Sequence, residues 1–343
     1  MTDAVLTPTG RRLGWGVVGA GAVASKLVAD LQLLPDARLV GVVASRLASA
    51  QRFADGFGAP FAGAGASGLS ALLEEPAVDV VYVATPHDSH FAVALTALRA
   101  GKHVLCEKPF TVNAAQAERL VEEARASGVF LMEAVWTRFI PSVLALLAEV
   151  RSGRIGEPRR LAADIGFPVP FDTDSRLWKP DNAAGALLEM GSYPLTWAAA
   201  VFGQPRGLTA SGTLSPNGVD AEILASLEYG GGRRADVVAS FASYGPGEVT
   251  IVGSRGWVRT RGPIHSPAGF VVNVAGSAPE ERTVEHVGFG YAHQLRAVTS
   301  AIHAGANESA IVPLDESIAT MRTMDKLRGI VGVRYPDEVE STT

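Results

Sequence analysis

The sequence holds one cysteine, Cys106, in 343 residues, so no disulfide can close within a single chain. That fits a reducing compartment, and a cytoplasmic protein is expected. There is no large basic block, and the net charge is -5, which argues against a nucleic-acid partner. No segment reaches the ~18 unbroken apolar residues of a membrane helix, so no membrane partner is expected. No set of His, Cys, Asp and Glu has metal-ligand spacing, and no metal is expected. Internal repeats, low-complexity tracts and long linkers are missing too. Only the first few residues and the tail after Pro336 read as loose.

What is present is a globular composition, not a disordered one. Hydrophobic residues make up 47% and charged residues 19%, and the length suffices for two domains. Arg11 and Arg12 precede an apolar run ending in Ala22-Val23-Ala24, which superficially resembles a twin-arginine leader. The same residues read better as a strand, a glycine turn and a helix start. Apolar runs at residues 13–18, 38–44, 78–84, 103–106 and 129–134 read as strands. Helical spacing lies between them, at 25–34, after Asp88 as a cap, and after Asn113 with Gln116 as a capping box. This alternation predicts an α/β Rossmann domain over 1–135, with a doubly wound parallel sheet. From about residue 150 short alternating segments separated by glycine-rich turns take over. They predict an α+β domain over 136–343 with a large, mostly antiparallel open sheet. One face of that sheet would need a cover, and a second copy of the chain is expected to supply it.

Gly19-Ala20-Gly21-Ala22-Val23-Ala24 matches G-x-G-x-x-A between a strand and a helix. Gly19 allows the tight turn and Gly21 lets the backbone approach a pyrophosphate. Ala22 and Val23 then open a helix whose free N–H groups face the phosphates. The second strand ends in Ala44-Ser45-Arg46 rather than in a carboxylate. A hydroxyl beside a guanidinium suits a ribose 2′-phosphate, so NADP is expected, with NAD use possible.

Two further stretches carry chemistry. "GKHVLCEKPF" places Glu107, Lys108 and Pro109 at the end of a strand, where ligands of such sheets sit. "GALLEMGSYP" begins a helical stretch in which Glu189 and Tyr193, four apart, share a face. Gly185, one turn earlier, would leave room there for a substrate.

These stretches, with ATPHDSH at 84–90, EAVWTRF at 133–139 and TMDKLRGIVGVRYP at 323–336, resemble the Gfo/Idh/MocA oxidoreductases. The likeness covers nearly the whole chain and is strongest to the branch of dimeric dihydrodiol dehydrogenases and glucose-fructose oxidoreductase. The resemblance implies that Thr85, Pro86, His87 and His90 border the cofactor. It puts Glu107 and Lys108 at the nicotinamide, with Trp136 and Arg138 completing the cofactor site. Either histidine could instead be a cap or a surface residue. Two departures stand out: Ala183-Ala184-Gly185 replaces the usual three glycines, and Glu189 replaces an Asp.

The resulting expectation is an NADP-dependent oxidoreductase moving a hydride between nicotinamide and a sugar or polyol-like carbonyl/alcohol. Tyr193 would give or take the proton. Lys108 would hold the substrate oxygen and favour the phenolate, and Glu189 would orient a substrate hydroxyl or Lys108. Pro109 would fix Lys108, and its preceding peptide could be cis. Phe167, Phe171, Arg176 and Trp178 would shape the pocket. Alternatives are a trans-dihydrodiol dehydrogenase and a non-catalytic dinucleotide sensor on the same fold.

Overall fold

The chain, described over residues 2–342 in a computed structural model, builds two sheets around a largely continuous core. The first half runs α1 (Thr2–Leu6), β1 (Leu13–Val18), α2 (Ala22–Leu31), β2 (Ala37–Ala44), α3 (Leu47–Phe57) and β3 (Phe61–Ala64). It continues with α4 (Gly65–Glu74), β4 (Val80–Val83), α5 (His87–Arg99), β5 (His103–Glu107), α6 (Ala114–Ser127) and β6 (Leu131–Ala134). The six strands pair in parallel in the order β3-β2-β1-β4-β5-β6. The order reverses between β1 and β4, and the crevice at such a switch point is where doubly wound sheets bind ligands. Val80, Val81, Tyr82 and Val83 are all buried, as a strand covered on both faces requires.

The sequence reading missed the stretch from α3 to α4. β3 is Phe-Ala-Gly-Ala, too short and too small to show a pattern. Its Gly63 is there for contact: a Cβ would lie 2.9 Å from the Cα of Gly68 on α4, so strand and helix meet backbone to backbone. Asn113 does cap α6, accepting from the Gln116 N–H at 2.9 Å. Asp88 does not cap α5. Pro86 holds that position, and Asp88 lies in the first turn.

The second half runs α7 (Pro141–Arg151), β7 (Pro158–Gly166), α8 (Ser192–Phe202), β8 (Gly207–Leu214), β9 (Asp220–Tyr229), β10 (Arg233–Ser240) and β11 (Val249–Gly253). Then come β12 (Gly256–Arg261), β13 (Gly269–Val274), β14 (Glu280–Thr283), α9 (Tyr291–His303), α10 (Leu314–Val331) and α11 (Asp337–Glu340). The eight strands order β14-β13-β12-β11-β7-β10-β9-β8, antiparallel except for the β7–β10 pair. Leu161, Ala163, Ala225, Leu227, Ala235 and Val237 form one buried face, with α8 and α10 packed against the sheet. The opposite face carries Leu224, which is 42% exposed.

Ties across the chain fix the two halves. Asp36 takes a bidentate pair from Arg296 at 2.7 Å on each oxygen. Burial would raise this carboxyl, but Arg296 and the Thr9 N–H bring its pKa down to about 2. Asp30 of α2 accepts the Phe289 and Ala292 N–H groups at the start of α9. The tail after Pro336 is anchored rather than loose. The side-chain amides of Asn113 and Gln116, beyond what α6 needs for capping, donate to the carbonyls of Glu340 and Val339 at 2.9 Å each.

Candidate active site

The glycine turn is shaped by close approach. Gly19 has φ +113°, and a Cβ on it would lie 2.2 Å from the Ala84 carbonyl oxygen at the end of β4. A Cβ on Gly21, by contrast, would meet nothing within 4 Å. No side chain caps α2, so its first N–H groups remain open, beside the exposed Ala22 and Val23. Thr85 keeps a buried hydroxyl without a hydrogen-bond partner. Ser45 and Arg46 are exposed at the end of β2, and the Arg46 guanidinium makes no ion pair or hydrogen bond among the described residues. Open helix N–H groups, an unpartnered hydroxyl and an unspent cation fit a dinucleotide.

His87 and His90, one turn apart on α5, are both buried. The His87 Nδ1 faces the Ala183 carbonyl at 3.3 Å, so it carries the proton, and Nε2 is left 3.6 Å from Glu189 Oε2. Burial holds the His87 pKa down to about 3 despite Glu189, so the ring is neutral and the contact is not an ion pair. His90 is a strut: its two nitrogens face the carbonyls of Pro109 and Thr85 at 2.9 and 3.0 Å. Neither nitrogen is left to reach a cofactor.

Lys108 follows β5, and the Lys108–Pro109 peptide is cis. Its Nζ donates to the backbone carbonyl of Glu189 at 2.8 Å and lies 4.8 Å from the centre of the Tyr193 ring. Burial works against the ammonium, but Tyr193, Glu189 and Glu107 outweigh it and hold the pKa above the ordinary lysine value. Glu107 lies behind, accepting from the Tyr82 hydroxyl at 2.6 Å; burial raises its carboxyl.

Glu189 sits in a π-helical turn, Leu187–Gly191, that runs directly into α8. Its carboxylate takes both Arg176 nitrogens, at 3.1 and 3.0 Å. Burial opposes its charge, yet Lys108 and Arg176 hold the pKa down to about 2. The extra methylene relative to Asp gives the carboxylate the reach for Arg176, while the backbone carbonyl holds Lys108. Gly185 makes room for protein, not substrate: its Cβ would lie 2.0 Å from Asp220 Oδ1.

Trp136 is buried, stacked on Tyr291 at 4.4 Å. Arg138 is not free for a cofactor. Its guanidinium is buried in an ion pair with Glu316 and donates to the Ile311 carbonyl. Phe167 and Phe171 are exposed, 42% and 44%, whereas Trp178 is buried against Phe241. His265, which the sequence reading did not single out, lies 5.4 Å ring to ring from Tyr193, and its Nδ1 and Nε2 have no hydrogen-bond partner among the described residues. Burial and the nearby Lys108 and Lys26 keep it neutral by lowering its pKa. A histidine between Pro263 and Pro267, in a short rigid loop, was the available signal.

A switch-point dinucleotide cradle beside a lysine, a phenol and a neutral imidazole defines an NAD(P)-dependent oxidoreductase. Residues 13–135 match the profile of an oxidoreductase family with an NAD-binding Rossmann fold, and residues 143–259 match the GFO/IDH/MocA C-terminal domain. The chain belongs to the GFO/IDH/MocA oxidoreductase family. It is 33% identical over 336 residues to the trans-1,2-dihydrobenzene-1,2-diol dehydrogenase of Bos taurus, spanning 95% of this chain and 99% of that one. The 3-ketoreductase of Actinomadura kijaniata, solved with NADP and TDP-benzene, is 26% identical, with a TM-score of 0.83 over 94% of this chain and 98% of that one. The aldose-aldose oxidoreductase of Caulobacter crescentus shares the fold, with a TM-score of 0.85 at 24% identity over 94% and 98% of the two chains.

Proposed function

We propose that the chain uses NADP(H) to interconvert a carbonyl and an alcohol on a sugar or polyol-like substrate, with Lys108 and Tyr193 at the reacting oxygen. The observation that carries this is the Lys108 ammonium, pinned by the Glu189 carbonyl against the Tyr193 ring at the end of β5. The glycine turn, Thr85 and the first turn of α2 would hold the dinucleotide, with Ser45 and Arg46 at a 2′-phosphate. When bound, the reduced nicotinamide supplies the hydride. Lys108, with its pKa held up, stays charged and is a poor proton donor near neutrality. The proton role therefore falls to Tyr193. In the reductive direction the phenol O–H bond breaks as the substrate alcohol O–H forms, and Lys108 steadies the phenolate left behind. Glu189 stays ionised and accepts from a neighbouring substrate hydroxyl on lone pairs that Arg176 leaves free.

The relatives named as dihydrodiol dehydrogenases support a second reading, oxidation of an aromatic trans-dihydrodiol. The exposed rings of Phe167 and Phe171 would suit its apolar face. NADPH oxidation with a panel of ketosugars, 3-keto sugars and dicarbonyls, and NADP⁺ reduction with trans-1,2-dihydrobenzene-1,2-diol, separate the two. Turnover in neither arm would overturn both. We also assign the open sheet face, where Leu224, Val238 and Val252 lie, to a homodimer; Leu224→Arg should then give a monomer on sedimentation. The lone, buried Cys106 supports a reducing, cytoplasmic setting. Among the described residues no helix is long and apolar enough to cross a membrane.

A further inference from the structure

The residues before the π-helical turn are held in an unfavourable shape. Ala183 has φ +50°, the one non-glycine residue with positive φ among the described residues. An alanine in the left-handed region holds only when its surroundings fix it there. Three side chains from distant parts of the chain do so. His87 faces the Ala183 carbonyl at 3.3 Å. The Tyr335 hydroxyl, near the end of the chain, donates to the Ala184 carbonyl at 2.6 Å. Asp220, the first residue of β9, accepts the Leu187 N–H at 2.7 Å, and its other oxygen lies where a Cβ on Gly185 would be. Asp220 and Tyr335 are both buried, and the Arg328 guanidinium lies 4.9 Å over the Tyr335 ring, held by Asp325 and Glu340.

Neither residue touches Lys108, Tyr193 or the cofactor cradle. What they hold is the backbone leading into Glu189, whose carbonyl binds Lys108 Nζ. Burial pushes the Asp220 carboxyl up to about 7 against this bond, so Asp220 holds the turn by accepting the Leu187 N–H rather than by its charge. We propose that Asp220 and Tyr335 are positioning residues for this enzyme: they fix the turn at 183–187, and through it the carbonyl that aims Lys108. The proposal rests on the reading that Lys108 acts at the substrate oxygen.

The test starts with Tyr335→Phe, which removes one hydroxyl and keeps the ring. A displacement of about 1 Å at a catalytic group can cost up to about a hundredfold, so kcat should fall at least about tenfold. NADPH affinity, read by fluorescence titration, should stay within about twofold, because the cradle lies elsewhere. Asp220→Ala should lose as much or more. Asp220→Asn, which still offers an acceptor to the Leu187 N–H, should recover most of the loss. The proposal is overturned by a Tyr335→Phe enzyme of unchanged kcat, by NADPH affinity falling in step with kcat, or by Asn performing no better than Ala. Should the wild-type enzyme turn over nothing in the substrate panel, the underlying reading fails, and a crystal structure of Tyr335→Phe decides this proposal separately. A broken contact between Lys108 Nζ and the Glu189 carbonyl supports it; an intact one at 2.8 Å sinks it.

Discussion

The turn at 19–24 and the turn at 183–191 both aim backbone polar groups at the site, yet they are built in opposite ways. The first needs no distant side chain. Gly19 must be glycine because at φ +113° a Cβ would strike the Ala84 carbonyl, and α2 follows with its N–H groups left open. Its contacts from elsewhere in the chain are backbone ones, from Ala84 and from the Val43 carbonyl that accepts the Gly19 N–H at 2.8 Å. The second turn depends on distant partners: His87 from α5, Asp220 from β9, Tyr335 from the end of the chain and Lys108 from after β5. The first turn leaves donors vacant for a ligand. The distant one spends the Ala183, Ala184 and Glu189 carbonyls and the Leu187 N–H on protein partners. Binding of the cofactor and aiming of the catalytic groups are thus separable by mutation.

Lys108→Met should separate them most sharply. Turnover should fall by about 10²–10⁴, the usual contribution of a well-placed group, while NADPH affinity stays within a few-fold. Loss of both together would break the distinction. Gly19→Val should do the reverse kind of damage. A side chain pressed onto the Ala84 carbonyl at φ +113° should destabilise the fold by about 1–3 kcal/mol and abolish cofactor binding before it touches the catalytic groups. Thermal melting and fluorescence titration read the two effects. Arg46→Asp should weaken NADPH by about 10–100-fold, the worth of a charge-assisted contact, and NADH far less. Equal losses would remove the 2′-phosphate assignment.

The smallest effect concerns pH. Glu133, buried beneath the Lys108 loop, accepts from the Phe110 N–H at 3.0 Å and the Ser317 hydroxyl at 2.6 Å, and burial pushes its pKa up to about 7. Its folded value is raised, so the unfolded chain releases the proton first, near ~4.3. Stability from this group is whole below that pH, declines as pH rises towards about 7, and is flat above. Glu133→Gln should flatten the decline in melting temperature between about pH 4.5 and 7. An unchanged slope would show that Glu133 does not titrate there.

The same contrast explains what the sequence disclosed. Residues 19–24 are legible because glycine spacing between a strand and a helix is a local rule. The parallel sheet followed from runs such as residues 80–83, buried on both faces and so unbroken by polar residues. The engagement of Arg138 was not legible, because its partner, Glu316, is far along the chain. Asp220 gave no signal at all. It is one acid at the head of an ordinary alternating strand, and only the fold shows it capping a turn 33 residues away. The anchored tail was missed for the same reason, since its partners are amides on α6.

The most direct test is a crystal structure with NADP⁺ and a turned-over alcohol bound. The account predicts one substrate oxygen within about 2.6–3.2 Å of both Lys108 Nζ and the Tyr193 hydroxyl. A substrate oxygen held by neither group, or a Tyr193 hydroxyl turned away to solvent with Lys108 alone in contact, would contradict it.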